Sequence, residues 1–311
     1  MPEIILEDNI RIRTFSPPPP GFDPLIAPAS ELEQHGFPAR PDDPHLLKLY
    51  RRLFTRLKGR LKYVEPTFRI SHDSSHGPRN RSSSGVFTGD NWSGGVRLAP
   101  PGQSFSAVGG HLVAPNAYAQ TSDPFLNSYW VGLDGYTGTG ANEVLQAGVD
   151  CSLSGGSSSF YLWHQWVPST KAEITNPAVS AGDLVGVSIS AWPGAGATTA
   201  TIFFTNISSG AVTSYAISAP PGTQLAGNSA EWIVEAPFAA GQLADYGQVF
   251  FDDCAASLPF MFRRPEPSDE TLNITQGSTM VSGAIWITPD IIQCVYGGVS
   301  ETALPPPVRR D

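Results

Sequence analysis

From Phe87 onward the apolar residues come in short runs broken by turn formers, and that rhythm restricts the chain to an all-β architecture. The runs SYWVGLD (128–134), EVLQAGVD (143–150), FYLWHQWV (160–167), LVGVSISAW (184–192), TATIFFTNI (199–207), AEWIVEA (230–236) and QVFFDDC (248–254) are rich in β-branched and aromatic residues. Clusters of Gly, Pro, Ser and Asn separate them, and no segment after residue 86 holds a helix-length period. The 31 glycines, 29 prolines and 15% charged residues of this 311-residue chain fit many turns and few exposed helices. Regular short strands of this kind predict a sandwich or a barrel.

Side chains alternate across a strand, so residues two apart share a face. Trp130, Gly132 and Asp134 share one face of their run, and Val131 and Leu133 the other. Gln146, Gly148 and Asp150 oppose Leu145, Ala147 and Val149. Trp163 and Gln165 lie together, and Glu231 and Glu235 oppose Trp232 and Val234, with Ile233 interrupting the polar side. Each run therefore has one apolar side for a core. The other side mixes indoles, amides and carboxylates with glycines, a composition that predicts a binding cleft rather than ordinary surface.

Residues 1–85 read differently. Pro-rich coil precedes one amphipathic helix, expected from about Pro44 to Tyr63, with Leu46, Leu47, Tyr50, Leu53, Phe54 and Leu57 at three- and four-residue steps and Asp42 or Asp43 as its cap. Residues 71–85 are a Ser-rich linker. The expected division is a basic extension or pro-segment (1–85), a β-sandwich body (86–300) and a tail (301–311). Net charge is −9, divided as +3 over residues 1–85 and −12 over the remainder. A basic arm beside an acidic body suggests mutual attraction, and the acidic body argues against nucleic acid as a partner. No apolar run reaches the length of a membrane span, and the start lacks the basic and apolar stretches of a secretory signal. Cys151, Cys254 and Cys294 allow at most one bridge; one pair, or three unlinked core thiols, both remain open.

Several chemistries lack their motifs. There is no HExxH, no GxSxG elbow, no Asp-Thr-Gly or Asp-Ser-Gly loop and no phosphate-binding loop. Four of the six histidines precede residue 86, and His111 and His164 are expected to be structural. The expectation is no metal and no cofactor.

The ordered runs carry a resemblance. NWSGGV (91–96), GGHLVAP (109–115), YWVGLDG (129–135), LQAGVD (145–150), NSAEWIVEAP (228–237) and ADYGQVFF (244–251) resemble, in sequence order, the motifs of the glutamic peptidase (eqolisin) family. That resemblance implies two long antiparallel, lectin-like sheets in a jelly-roll sandwich with a cleft on one curved face. It implies a catalytic pair, Gln146 and Glu231, with Trp92, Trp130, Asp134, Asp150, Trp163 and Gln165 binding substrate around it. Gln165 stands where the family pattern has an acidic residue between two tryptophans, a departure that bears on proton handling in the cleft.

The implied activity is acid endopeptidase action on proteins or peptides, by a monomer, insensitive to pepstatin. Glu231 would serve as base and then acid, and Gln146 would stabilise the oxyanion. The alternative is a lectin-like binding module or pseudoenzyme that keeps the cleft without turnover. The resemblance further implies secretion, although no signal segment is visible, and the basic extension is expected to inhibit the acidic body at neutral pH.

Overall fold

The computed structural model describes residues 3–6, 11–71, 87–89, 91–118, 124–136, 143–237, 243–258 and 269–298. Most of the linker expected over 71–85, most of the insert 258–270 and the tail 301–311 lie outside them. The chain runs through β1 (Glu3–Ile5), β2 (Arg11–Thr14), α1 (Ala29–Gln34), α2 (Pro44–Leu57), β3 (Lys62–Tyr63), β4 (Thr67–Ser71), β5 (Phe87–Gly89), β6 (Trp92–Leu98), β7 (Ala107–Val113) and β8 (Phe125–Leu133). It continues through β9 (Leu145–Ser154), β10 (Ser157–Trp166), β11 (Lys171–Asn176), β12 (Leu184–Ser190), β13 (Thr199–Asn206) and β14 (Ala211–Ser218). The last strands are β15 (Ser229–Glu235), β16 (Gln248–Ser257), β17 (Asp269–Gln276), β18 (Thr279–Thr288) and β19 (Ile291–Tyr296).

Pairing builds a front sheet in the order β4-β11-β10-β9-β8-β15-β6-β17 and a back sheet in the order β1-β2-β14-β13-β12-β7-β16-β19. β18 pairs with both β17 and β19 and carries the ladder around one corner. Among the described pairings only β14 with β3 and β17 with β5 are parallel. The fold is the antiparallel sandwich that the alternating runs predict.

The two inner faces share one core. Tyr129, Val131, Leu133, Leu145, Ala147 and Val149 of the front sheet meet Leu112, Ile189, Ile202, Phe204 and Phe251 of the back sheet, all at 2% exposure or less. Burial of this apolar area is the main favourable term of the fold. His164 crosses the interior to the Tyr215 hydroxyl at 2.9 Å, and burial lowers its pKa to about 3, so it sits there neutral. Cys151, Cys254 and Cys294 are buried and unlinked. No described helix is long and apolar enough to cross a membrane, which says nothing of strands.

The segment before residue 72 is woven into both sheets rather than standing apart. β2 and β3 pair with β14 on the back sheet, and β4 pairs with β11 at the edge of the front sheet. Helix α2 starts where expected, with the Asp43 carboxylate accepting from the N–H groups of His45 and Leu46 at 2.9 and 3.0 Å. It ends at Leu57 rather than Tyr63, because Gly59 turns the chain in a left-handed conformation and Lys62–Tyr63 then pairs as strand. A short second helix, α1, was not anticipated from sequence.

The charge split suggested attraction between the basic arm and the acidic body, and the basic helix lies on the outer face of the back sheet. Its apolar stripe is what docks it. Tyr50, Phe54 and Leu57 pack with Phe37 on Phe203 and Val212, on the outer face of the back sheet. Arg52 reaches Asp253 at 2.7 Å, and His45 reaches Asp290 at 3.0 Å.

Candidate active site

The sheet register assembles the site. Gln165 of β10 pairs with Gln146 of β9, Gln146 with Gly132 of β8, and Gly132 with Glu231 of β15. These four residues form one row perpendicular to the strands, on the outer face of the front sheet. The next row on that face is Trp163, Gly148, Trp130 and Ile233, and the one after it is Tyr161, Asp150, Ser128 and Glu235. Gln146 and Glu231 are two strands apart, about 10 Å between Cα atoms from the usual strand spacing. The residue between them is glycine, so the intervening strand position puts no side chain of its own between the two.

Tryptophans wall this gap. A Cβ on Gly132 would lie 2.7 Å from Cζ3 of Trp130, so the indole rests where any larger residue would put its side chain. Trp92 meets Trp130 edge-on with centroids 4.8 Å apart. These rings join Val96, Tyr136, Val144, Trp163, Ile233 and Leu272 in an apolar cluster separate from the inter-sheet core. The Trp130 indole N–H donates to Glu235 at 2.9 Å, and Asn91 donates to the same carboxylate at 3.1 Å. Tyr136 donates its hydroxyl hydrogen to Glu270, which pairs with Val96 beyond Glu231 in the same row.

Gln146 and Glu231 are both fully buried. One N–H of Gln146 points to Gln165 Oε1 at 3.3 Å, and Gln165 is held in turn by donating to the Ser169 carbonyl at 2.6 Å. That leaves the second amide N–H and the unpartnered Oε1 of Gln146 for another molecule. Neither carboxylate oxygen of Glu231 has a hydrogen-bond partner at normal geometry. Burial pushes its pKa well above the ordinary carboxylate value; the Ser229 hydroxyl pulls weakly the other way and the Asp134 charge adds to the rise.

The two expected aspartates face protein rather than the gap. Asp134, at φ 65°, turns its carboxylate onto the N–H groups of Ala226, Gly227 and Asn228 at 2.7–2.9 Å. It clamps the turn that leads into β15 and so fixes Glu231 along the chain. Burial raises its own pKa, and those backbone hydrogen bonds oppose the rise. Asp150 accepts from Lys171 Nζ at 2.7 Å, and both are fully buried. The Lys171 ammonium lies 5.8 Å from the Trp163 ring, so Trp163 and Asp150 share a cation that sequence reasoning missed. Glu235 was placed on the right face, but its bond to Trp130 could not be read from the chain.

The Peptidase A4 family model matches residues 90–291. Aspergillopepsin-2 of Aspergillus niger is 28% identical over 189 residues, covering 54% of this chain and 64% of that protein. Scytalidopepsin B of Scytalidium lignicola is 27% identical over 145 residues, covering 47% of this chain and 51% of that protein. The chain thus spans only about half to two thirds of the length of these curated relatives. Among solved structures, scytalido-glutamic peptidase with a transition state analog inhibitor is similar at a TM-score of 0.54 and 21% identity, over 67% of this chain and 98% of that one. A member of the eqolisin family of peptidases in complex with the tripeptide Ala-Ile-His is similar at 0.52 and 22%, with the same coverage. At this level of identity the likeness concerns the fold.

Proposed function

Since this chain belongs to the Peptidase A4 family, the glutamic peptidases or eqolisins, we propose that it hydrolyses peptide bonds with Gln146 and Glu231 on the acid side of neutrality. The observation that carries the reading is the register row, in which the single residue Gly132 separates Gln146, whose Oε1 is buried without a hydrogen bond, from Glu231, whose carboxylate oxygens are buried likewise. The relatives solved with a peptide-based transition state analog and with a tripeptide favour protein or peptide substrates.

The reaction needs a proton moved twice. Glu231, as carboxylate, takes a proton from a water held between it and Gln146. The resulting hydroxide adds to the carbonyl carbon of the scissile bond, and the carbonyl electrons move onto oxygen. The free N–H of Gln146 donates to that oxyanion, and it does so at any pH because an amide does not titrate. The C–N bond then breaks as Glu231 returns its proton to the amine nitrogen. A group that serves as base and then acid works best near its own pKa, and burial has moved that of Glu231 upward from the usual carboxylate value. This favours an acidic to mildly acidic optimum.

Digestion of a denatured protein over about pH 2–6, with pepstatin present, tests the reading. Turnover that disappears in Glu231→Gln and Gln146→Ala is the expected result. A parent protein that binds peptides in the cleft but releases no fragments at any pH would move the chain to the binding-module reading.

A further inference from the structure

Trp130 stands at the centre of the front face, and its indole reaches into the row that holds Gln146 and Glu231. Its own row lies between that of Gly132 and that of Ser128 and Glu235. At one edge of the ring, Cζ3 lies 2.7 Å from where a Cβ on Gly132 would be, in the position between Gln146 and Glu231. At the opposite edge, the indole N–H donates to Glu235 at 2.9 Å. The ring therefore lies lengthwise along β8, tied at one end and projecting into the dyad row at the other. Gly148, beside it on β9, makes room for it, since a Cβ there would come 2.5 Å from Trp130 Cβ.

The tether is itself held. Glu235 is fully buried, and Asn91, 1% exposed, donates to its second oxygen at 3.1 Å. The same cluster tolerates an unsatisfied indole, because the Trp92 N–H is buried without a hydrogen bond. Satisfying a donor is therefore too little reason to bury a carboxyl beside Trp130, where an apolar side chain would cost less desolvation. The ring that is tied is the one whose edge lies over Gly132. Gln146 and Glu231 on either side of that edge are fully buried, and burial is the largest cause of the raised Glu231 pKa.

We propose that Glu235 is a positioning residue for the peptidase reaction: by holding the Trp130 N–H, it keeps the far edge of the indole over Gly132, where that edge shields Gln146 and Glu231 from bulk water. This role rests on the assignment of Gln146 and Glu231 as the reacting pair. Without the tether the ring is free to tilt, water reaches Glu231, and its proton affinity falls toward that of an ordinary carboxyl. Glu231 is then a weaker base that ionises at lower pH, so turnover falls while the acid-side limb of the pH profile moves down.

Digestion of a denatured protein over about pH 2–7 by Glu235→Leu and Glu235→Gln tests this role. Glu235→Leu is expected to lower kcat about three- to tenfold, the worth of one hydrogen bond, and to move the acid-side limb to lower pH. Glu235→Gln keeps an acceptor for the indole once the Asn91 amide turns over to match it, and should recover most of the rate and the parent's limb. The other carboxyls on this side of the sheet, Asp134, Asp150 with Lys171, Glu173 with Arg69, and Glu270, are the same in every variant. Glutamine and leucine both lack the carboxyl, so a limb that moves as far in Glu235→Gln as in Glu235→Leu overturns the role. So does a folded Glu235→Leu protein with the parent's rate and limb. If Glu235→Leu does not fold, Asn91→Ala, which releases one oxygen of Glu235, should move the limb the same way by less, and an unmoved limb there is equally fatal. The gap in thermal midpoint between a protein and its Glu231→Gln counterpart reads the Glu231 carboxyl without turnover. In the Glu235→Leu background that gap should be smaller at pH 7 than in the parent background. A parent without turnover ends the peptidase reading, whereas equal gaps in the two backgrounds end the role of Glu235.

Discussion

Each sheet turns one face away from the shared core, and the two faces are finished in opposite ways. The outer face of the back sheet is roofed by α2, whose aromatic stripe meets Phe203 and Val212, and its Asp253 carboxylate is matched by Arg52 and His111. The outer face of the front sheet buries Glu231 with neither oxygen partnered and Gln146 with its Oε1 unpartnered. A buried carboxyl without partners opposes folding when ionised, so the front face holds a group that nothing in the fold rewards. The back face is built for stability. On the function proposed above, the front face is the one that carries the chemistry.

The sharpest way to break this contrast is Glu231→Gln. Loss of the only proton-transfer group is expected to lower kcat by about 10⁴-fold, the upper end for general acid–base catalysis. The same substitution should raise stability, in a pH-dependent way. A carboxyl whose folded-state pKa lies above its unfolded value contributes stability that is complete at low pH and is lost as pH rises through the folded value. The variant lacks that loss, so its thermal midpoint should exceed the parent's at pH 7 and converge with it near pH 3. A midpoint lower than the parent's at pH 7 would show that Glu231 is structurally satisfied and would undo the comparison. Gln146→Ala is expected to cost about 10²–10³-fold in kcat, as for loss of one oxyanion donor, with the acid-side limb of the pH profile unmoved.

The division of faces was largely legible before any coordinates. Period-two alternation put Gln146, Glu231, Trp130 and Trp163 on one side and Leu145, Val149 and Trp232 on the other, because a strand has no other way to sort side chains. Partners distant in sequence were not legible. Nothing near Asp150 announces Lys171, and Asp134 reads as one more residue of its strand until its positive φ swings it onto the turn at 226–228. The short strands of the extension went unread for a related reason. β2 (RIRT) and β4 (TFRIS) alternate over only one short run each and β3 is two residues long, too little to stand out in the sequence, and their place is set by the edges of β14 and β11 that they meet. Charge suggested attraction between the basic arm and the acidic body; apolar burial, with Arg52 on Asp253 and His45 on Asp290, decided where on that body the helix docked.

That decision predicts the converse of the front-face variants. Phe54 is 1% exposed and packs on Tyr50 and Phe203, with ring centroids at 4.6 and 6.2 Å. Phe54→Ala is expected to destabilise the chain by about 3–5 kcal/mol, as for other large-to-small changes in a core. Denaturant unfolding should register that loss while kcat, measured below the new midpoint, stays at the parent value. A large fall in kcat with stability intact would mean that the extension acts on the cleft and that the two faces are coupled.

The smallest expected effect lies at the rim of the cleft, where the chain departs from its family's pattern. Gln165 donates to the Ser169 carbonyl, and this turns its Oε1 toward Gln146. In that pose an amide does what a carboxylate would do there, accepting one N–H of Gln146 and leaving the other for the oxyanion. Gln165→Leu removes the acceptor and frees the Gln146 side chain to rotate, a loss of about three- to tenfold in kcat from one neutral hydrogen bond. Gln165→Glu keeps the acceptor and should recover most of that rate, while its added charge near Glu231 moves the acid-side limb to higher pH. KM should change little in either case, because Gln165 works through Gln146 rather than on the substrate. If Gln165→Leu instead costs as much as Gln146→Ala and raises KM, then Gln165 contacts the peptide directly and the catalytic row extends one strand further than Gln146.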